Sequence, residues 1–239
     1  MKKISILALL GLVISSCTND SASEGNVTLK ASAVSTTGKT SLTARTAAST
    51  VVLTDFKINI GNIEFETDMD DAMYSIDPLY DDVKLDGPFL LDLLDPNLTL
   101  SPFITSVNVP NARYEEIEFN FEKSTLVGEM NGKTYLIKGT INGKPFIIWS
   151  DEDAELELDF EDNNKDFTIN SNDISLNIKI HLDALMNKLA TLANQGLLLD
   201  TDGDGVIEIS TGSGDDNHND IGDFIKNLLE QETDLDDRD

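Results

Sequence analysis

Ser124 to Ser150 reads STLVGEMNGKTYLIKGTINGKPFIIWS, and its two Asn-Gly pairs, Asn131-Gly132 and Asn142-Gly143, decide the fold class. Each pair sits between runs of strand-forming residues. Asn-Gly suits a type I′ hairpin turn because that turn needs positive φ at both central residues. The stretch therefore predicts an antiparallel meander of three strands, Ser124 to Met130, Lys133 to Ile141 and Lys144 to Ser150.

Working outward, the same period of two recurs on both sides. From Val51, Phe56, Ile58 and Ile60 alternate with polar neighbours. Gly61-Asn62 then shifts the phase before Ile63 and Phe65, which predicts a bulge inside one long strand. Val83 to Leu94 reads as strand-like, and Tyr114 to Phe121 alternates Ile117, Phe119 and Phe121 against Glu116, Glu118 and Asn120. Downstream come Leu156, Leu158 and Phe160, then Ile174, Leu176, Ile178 and Ile180. Seven or more short strands at this spacing predict a mainly β protein, an antiparallel β-sandwich of Ig-like type over residues 51–180. At His181 the period becomes helical. Leu182, Leu185, Met186, Leu189, Leu192 and Ala193 mark one face, with Gly196 as the stop. A second amphipathic helix is expected over 220–231, so residues 181–239 read as helix, acidic loop, helix and acidic tail.

The 239 residues are 40% hydrophobic, enough for one sizeable core, and carry a net charge of −27 from 17 basic and 44 acidic side chains. A nucleic-acid binder needs clustered Lys and Arg to track phosphates, so this balance excludes that class and favours a cationic, neutral or metallic partner.

Residues 1–16 have the layout of a secretory signal: Lys2 and Lys3, an apolar run from Ile4 to Ile14, and small Ser15-Ser16. The run is too short to span a bilayer as a helix. Next comes Cys17, the one cysteine of the chain, and Ile14-Ser15-Ser16-Cys17 resembles the lipobox of bacterial lipoproteins. That resemblance implies acylation of Cys17 and an anchor in a lipid bilayer of the cell envelope, with Thr18 after the cysteine favouring the outer membrane or cell surface. Several acyl chains anchor stably where one is marginal. Loss of residues 1–16 removes two lysines and no acid, so −27 becomes −29.

Residues 17–50 are rich in Ser, Thr and Ala and read as a tether, with an edge strand over 27–33. Within it, Ala33-Val34-Ser35-Thr36-Thr37-Gly38-Lys39-Thr40 fits a loose phosphate-loop pattern. The mechanism needs a buried strand before the loop and a helix after it, and neither flank reads that way, so no nucleotide is expected.

One constellation carries chemistry. In Asp200-Thr201-Asp202-Gly203-Asp204-Gly205-Val206-Ile207-Glu208, carboxylates fall at the first, third and fifth positions before a glycine turn, with a backbone carbonyl at Val206 and a carboxylate at Glu208. Such hard oxygens suit Ca²⁺, and the pattern is similar to the calcium loop of EF-hand and dockerin modules. The twelfth position, normally a bidentate carboxylate, is Thr211. Asp215, Asp216, Asn217, Asn219 or Asp220 would have to complete the shell. Residues 200–239 hold 14 acids against Lys226 and Arg238, a density that a bound cation would relieve. The alternative is a solvated turn whose Asp side chains cap their own backbone.

Gly87 to Leu94 (GPFLLDLL), Val109 to Phe119 (VPNARYEEIEF) and Leu156 to Phe160 (LELDF) resemble the DUF4382 family of bacterial lipoproteins. The likeness spans roughly Val51 to Ile180 and departs from the family where Asn111-Ala112-Arg113 replaces its usual glycine before Tyr114. It implies a transthyretin-like sandwich and no known activity.

No catalytic constellation emerges. His181 and His218 lack nucleophile partners, and acid pairs such as Asp70/Asp71, Asp81/Asp82 and Asp151/Asp153 arise by chance among 44 acids. Trp149 and Tyr135 read as core or half-buried strand residues rather than a sugar-stacking face. The expectation is a non-enzymatic, calcium-stabilised envelope lipoprotein that binds a glycan or an envelope protein. A polysaccharide hydrolase or its accessory component, and a structural subunit of an envelope assembly, are the alternatives.

Overall fold

The computed structural model describes residues 24–34, 42–45, 50–67, 82–94, 103–159, 167–169, 174–211, 227 and 233–236. The strands are β1 (Glu24–Val34), β2 (Leu42–Arg45), β3 (Thr50–Thr67), β4 (Val83–Asp92), β5 (Phe103–Pro110), β6 (Arg113–Phe121), β7 (Tyr135–Ile141), β8 (Lys144–Ser150), β9 (Ala154–Asp159), β10 (Phe167–Thr168), β11 (Ile174–His181), β12 (Ile207–Ser210) and β13 (Thr233–Asp236). One helix, α1 (Asp183–Asn194), lies between β11 and β12. Two sheets result: a four-stranded one in the order β13-β11-β1-β5, and a nine-stranded one whose main path is β10-β6-β3-β7-β8-β12, with β2 and β4 joined to β3 and β9 to β6. Buried side chains of both sheets and of α1 belong to a single hydrophobic cluster.

The long strand β3 organises the larger sheet. Its register slips once between Leu53 and Asp55 and again between Ile60 and Asn62. Each slip adds one residue, so Val51, Leu53, Phe56, Ile58, Ile60, Ile63 and Phe65 all return to the core face. The second bulge is the one expected at Gly61-Asn62. Against Phe65, the Tyr114 ring packs edge to face with centroids 6.0 Å apart, and the Tyr114 hydroxyl donates to the Pro110 carbonyl at 2.9 Å.

The meander is half as expected. Asn142 (φ 54°) and Gly143 (φ 82°) both take positive φ, and β7 and β8 pair in register from Tyr135↔Ser150 to Ile141↔Lys144. Ser124 to Met130 is not a strand. Gly132 has φ 73°, but Asn131 does not take positive φ, so the first Asn-Gly makes no type I′ turn. Instead Asn131 N–H donates to the Gly128 carbonyl and Gly132 N–H to the Ser124 carbonyl, which closes a compact loop. Met130 folds inward, while Leu126 and Val127 face solvent.

Three further expectations are corrected. β1 is no edge strand in a tether: it lies inside the four-stranded sheet, parallel to β11 and antiparallel to β5, with Val27, Leu29 and Ala31 buried. Three inward apolar residues at a spacing of two were enough to recruit it. Nor is pairing antiparallel throughout, since β1 with β11 and β8 with β12 are parallel. Both join segments far apart in the chain, where no turn dictates direction. And a strand, β1, does precede the phosphate-loop-like residues, with the strand β2 rather than a helix as the next described element. The helix N-terminus that phosphate binding requires is therefore lacking among the described residues.

In α1, Leu185, Met186, Leu189 and Leu192 are buried as the period predicts, with Ala190 buried as well and Ala193 half-buried. Gly196 (φ 69°) ends the helix in a Schellman arrangement: its N–H donates to Ala193 O and the Leu197 N–H to Leu192 O. The second helix expected over 220–231 falls outside the described residues except Asn227, which is helical. Residues 1–23, which include the signal-like segment and Cys17, lie outside them as well.

Candidate functional site

The acidic loop leaves α1 through residues 195–199 and returns to the large sheet as β12, whose Ile207↔Phe146 to Ser210↔Trp149 register fixes it beside β8. Ile207 and Ile209 are buried and anchor the return. Between them and the helix, Gly203 (φ 81°) and Gly205 (φ 98°) turn the chain where a side chain would be strained. Asp200 accepts from Gly203 N–H at 2.7 Å and Gly205 N–H at 3.1 Å, Asp202 from Asp204 N–H at 3.0 Å, and Asp204 from Val206 N–H at 2.7 Å. Each carboxylate is thus held by the backbone it helps to turn.

The result is convergence. One oxygen each from Asp200, Asp202 and Asp204 lies within 4.8 Å of the others. Oxygens about 2.4 Å from a calcium ion are at most about 4.8 Å apart, a condition these three meet, as do those of Glu66, Glu116 and Glu118 and of Glu118, Glu155 and Glu157. Glu208 does not join them; it lies beyond, on β12 opposite Ile147, facing a groove. Thr211, at the twelfth position, is buried and shares a 2.6 Å hydrogen bond with the Ser150 hydroxyl, so it staples β12 to β8. Asp215, Asp216, Asn217, Asn219 and Asp220 lie outside the described residues, as does His218.

Sequence reasoning missed Lys144. Its ammonium stands 2.8 Å from Asp200 Oδ2, reaching the loop from the far end of the β7–β8 turn. The hydrogen bond to Lys144 is the main cause that holds the Asp200 carboxyl below its ordinary range, with the Gly203 and Gly205 N–H groups adding to it. Sequence distance hid this pair, and only the parallel β8–β12 pairing brings it together.

Away from the loop, the outer face of the large sheet carries two contrasting charge groups. Across β3, β6 and β9, Glu64 faces Glu118, Glu66 faces Glu116, and Glu118 faces Glu157. Oxygens of Glu66, Glu116 and Glu118 gather within 4.8 Å, and so do those of Glu118, Glu155 and Glu157. Burial first, and neighbouring carboxylates second, push Glu66 and Glu118 above the usual carboxylate range. Strand periodicity exposes such residues in the sequence, but their cross-strand register is invisible there.

Across β3 and β7 the charges are matched instead. Glu129 binds both Lys138 and Lys57, and Lys57 also meets Asp55 at 2.8 Å. Hydrogen bonds from Lys138 and then Lys57 lower Glu129 to about 2. Burial opposes the charge on Lys57, yet its bonds to Asp55 and Glu129 prevail and raise it.

The aromatic pair separates. Tyr135 is in the core, whereas Trp149 is half-buried on the outer face, with the Lys133 ammonium 5.6 Å from its ring centre. His181 closes β11 beside Val34. Comparison of the chain with family models, with curated proteins and with solved structures finds no match.

Proposed function

We propose that this protein is a calcium-stabilised lipoprotein of the bacterial cell envelope, a non-enzymatic surface binding module anchored through acylated Cys17. The observation that carries the calcium reading is the convergence of Asp200, Asp202 and Asp204 oxygens, spaced two apart on a glycine turn, within the separation a single ion allows. An incomplete shell, with Thr211 turned into the sheet, suits the weak sites of extracellular modules, of about 10⁻⁴ to 10⁻³ M. Val206 supplies a carbonyl, and Asp215, Asp216, Asn217, Asn219 or Asp220 completes the shell. Binding must displace the Lys144 ammonium from Asp200, which weakens the site further.

The lipobox-like Ile14-Ser15-Ser16-Cys17 supports the anchor and the envelope location. Two sheets around one hydrophobic cluster support the sandwich of transthyretin or Ig-like type, and so does Tyr114, whose hydroxyl bonds a carbonyl four residues upstream as at the corners of such sandwiches. The DUF4382-like segments fit that reading, with a second C-terminal helix closing the acidic loop.

Calorimetric titration of the mature protein with CaCl₂ tests the site. Saturable binding in the submillimolar to millimolar range is expected, weakened in Asp204→Asn, which keeps an acceptor for Val206 N–H but loses the charge. Heat no larger than that of MgCl₂ at equal ionic strength would sink the calcium reading. Incorporation of labelled palmitate that vanishes in Cys17→Ala tests the anchor.

A further inference from the structure

We infer that the outer face of the four-stranded sheet is the side this protein lays on the lipid bilayer, resting on the headgroups while the large sheet is turned away. This deepens the envelope-lipoprotein reading and rests on its acylated Cys17. The length of chain between anchor and sheet carries the inference together with the charge of the face.

β1 begins at Glu24, seven residues after Cys17. Seven residues reach at most about 25 Å, which is shorter than the eleven-residue β1 itself at about 36 Å. β1 is an inner strand between β11 and β5, so the anchor draws the sheet to the membrane by its middle rather than by a margin. Anchor and sheet then share a small volume, in which even a weak surface contact is well populated.

Charge selects the face. β1, β5 and β11 carry one acid, Glu24 at the very start, against Lys30 and Lys179. Val27, Leu29 and Ala31 are buried, so Asn26, Thr28 and Lys30 point outward. There Asn26 faces Asn108 and Thr28 faces Ser106. Asn26 Nδ2 donates to Asn108 Oδ1 at 3.1 Å, and Ser106 Oγ donates to Asn26 Oδ1 at 2.8 Å. The result is a pleated surface of amides and hydroxyls, with Ser106 and Asn108 exposed, whose groups suit phosphate and ester oxygens. Acids enter by register only at the margin, where β13 sets Asp234 opposite Lys179 and Asp236 opposite Asn177. The outer face of the large sheet presents Glu64, Glu66, Glu118 and Glu157 instead, which anionic headgroups repel. Net charge does not prevent the contact. Screening at physiological salt acts over about 8 Å and stacked sheets lie about 10 Å apart, so those glutamates are beyond the reach of the surface.

The acylated protein is reconstituted in vesicles of phosphatidylethanolamine and phosphatidylglycerol, in chelator so that no divalent ion bridges acid to phosphate. Cys17 is the one cysteine and its sulfur is closed as a thioether, so Ser106→Cys and Glu157→Cys each take a single fluorophore. Lipid spin-labelled at the headgroup should quench the label at 106 strongly and the label at 157 not at all, with both variants melting like the parent. Lys30→Gln combined with Asn108→Asp should lose most of the quenching at 106 while the protein still floats with the vesicles. Quenching at neither position, at both alike or at 157 alone overturns the inference and leaves the anchor standing, as does quenching that the double variant leaves unchanged. A protein that does not float with the vesicles has no anchor, and both readings fall.

Discussion

The outer face of the nine-stranded sheet is built by one rule, polar residues alternating with the core, yet its two halves are electrostatic opposites. On β3, β6 and β9 glutamates confront glutamates at three rungs, with Lys84 of β4 meeting Glu64 alone, and Glu66 and Glu118 hold their protons more tightly than usual. On β3, β7 and the loop before β7 acids and lysines interlock, and Glu129 gives up its proton far more readily than usual. Residues 123–149 carry four lysines and one acid in a chain of net charge −27. The contrast teaches that the acidity is not a uniform solvating coat. On this sheet it is uneven: carboxylates crowd one half, while the half built on β7 and β8 is nearly balanced.

The sharpest way to break the paired half is through its backbone. A Cβ on Gly139 would stand 2.0 Å from the Val52 carbonyl oxygen and 2.7 Å from the Phe146 ring. Gly139→Ala should therefore cost about 3 kcal/mol, read as a lower midpoint in urea denaturation. An unchanged midpoint would mean that β3 and β7 are not so closely paired.

Mirror-image charge removal comes next. Glu129→Gln removes the carboxylate that Lys57 and Lys138 share, leaving them Asp55, and should destabilise by about 1 kcal/mol, a figure already discounted because the side chain is 43% exposed. Glu118→Gln relieves repulsion and should stabilise by about 0.5 kcal/mol after solvent screening. Equal signs for the two would erase the contrast.

The smallest effect is the pH profile. Glu66 and Glu118 bind protons more tightly in the folded chain, so lowering pH from neutrality into the carboxylate range should raise stability. Glu129 works oppositely: its contribution is present above 4.5 and is lost as pH falls towards about 2, and Asp200 follows the same direction. Melting temperature should therefore pass through a maximum on the acid side of neutrality. A monotonic fall from pH 7 would contradict the carboxylate ladder.

Much of the fold was legible because it is local. Asn142-Gly143 named its turn, Gly61-Asn62 its bulge, and the apolar face of residues 182–193 its helix. What escaped was non-local. Asn131-Gly132 has the same letters as its twin, but burial of Met130 bends the chain another way. β1 was hidden in Ser/Thr-rich surroundings because its partners, β5 and β11, lie far along the chain. The site divides likewise. Asp200, Asp202 and Asp204 announced themselves by spacing, whereas Lys144 and the groove around Trp149 exist only once β12 pairs with β8.

The claim that the acidic loop is a calcium site is tested most directly by thermal unfolding of the mature protein in millimolar CaCl₂, against chelator and against MgCl₂ at equal ionic strength. A midpoint raised by calcium beyond the magnesium control, with the excess abolished in Asp204→Asn, is the predicted result. Identical midpoints in calcium, magnesium and chelator would contradict it, and the loop would then be a turn held by its own aspartates and Lys144.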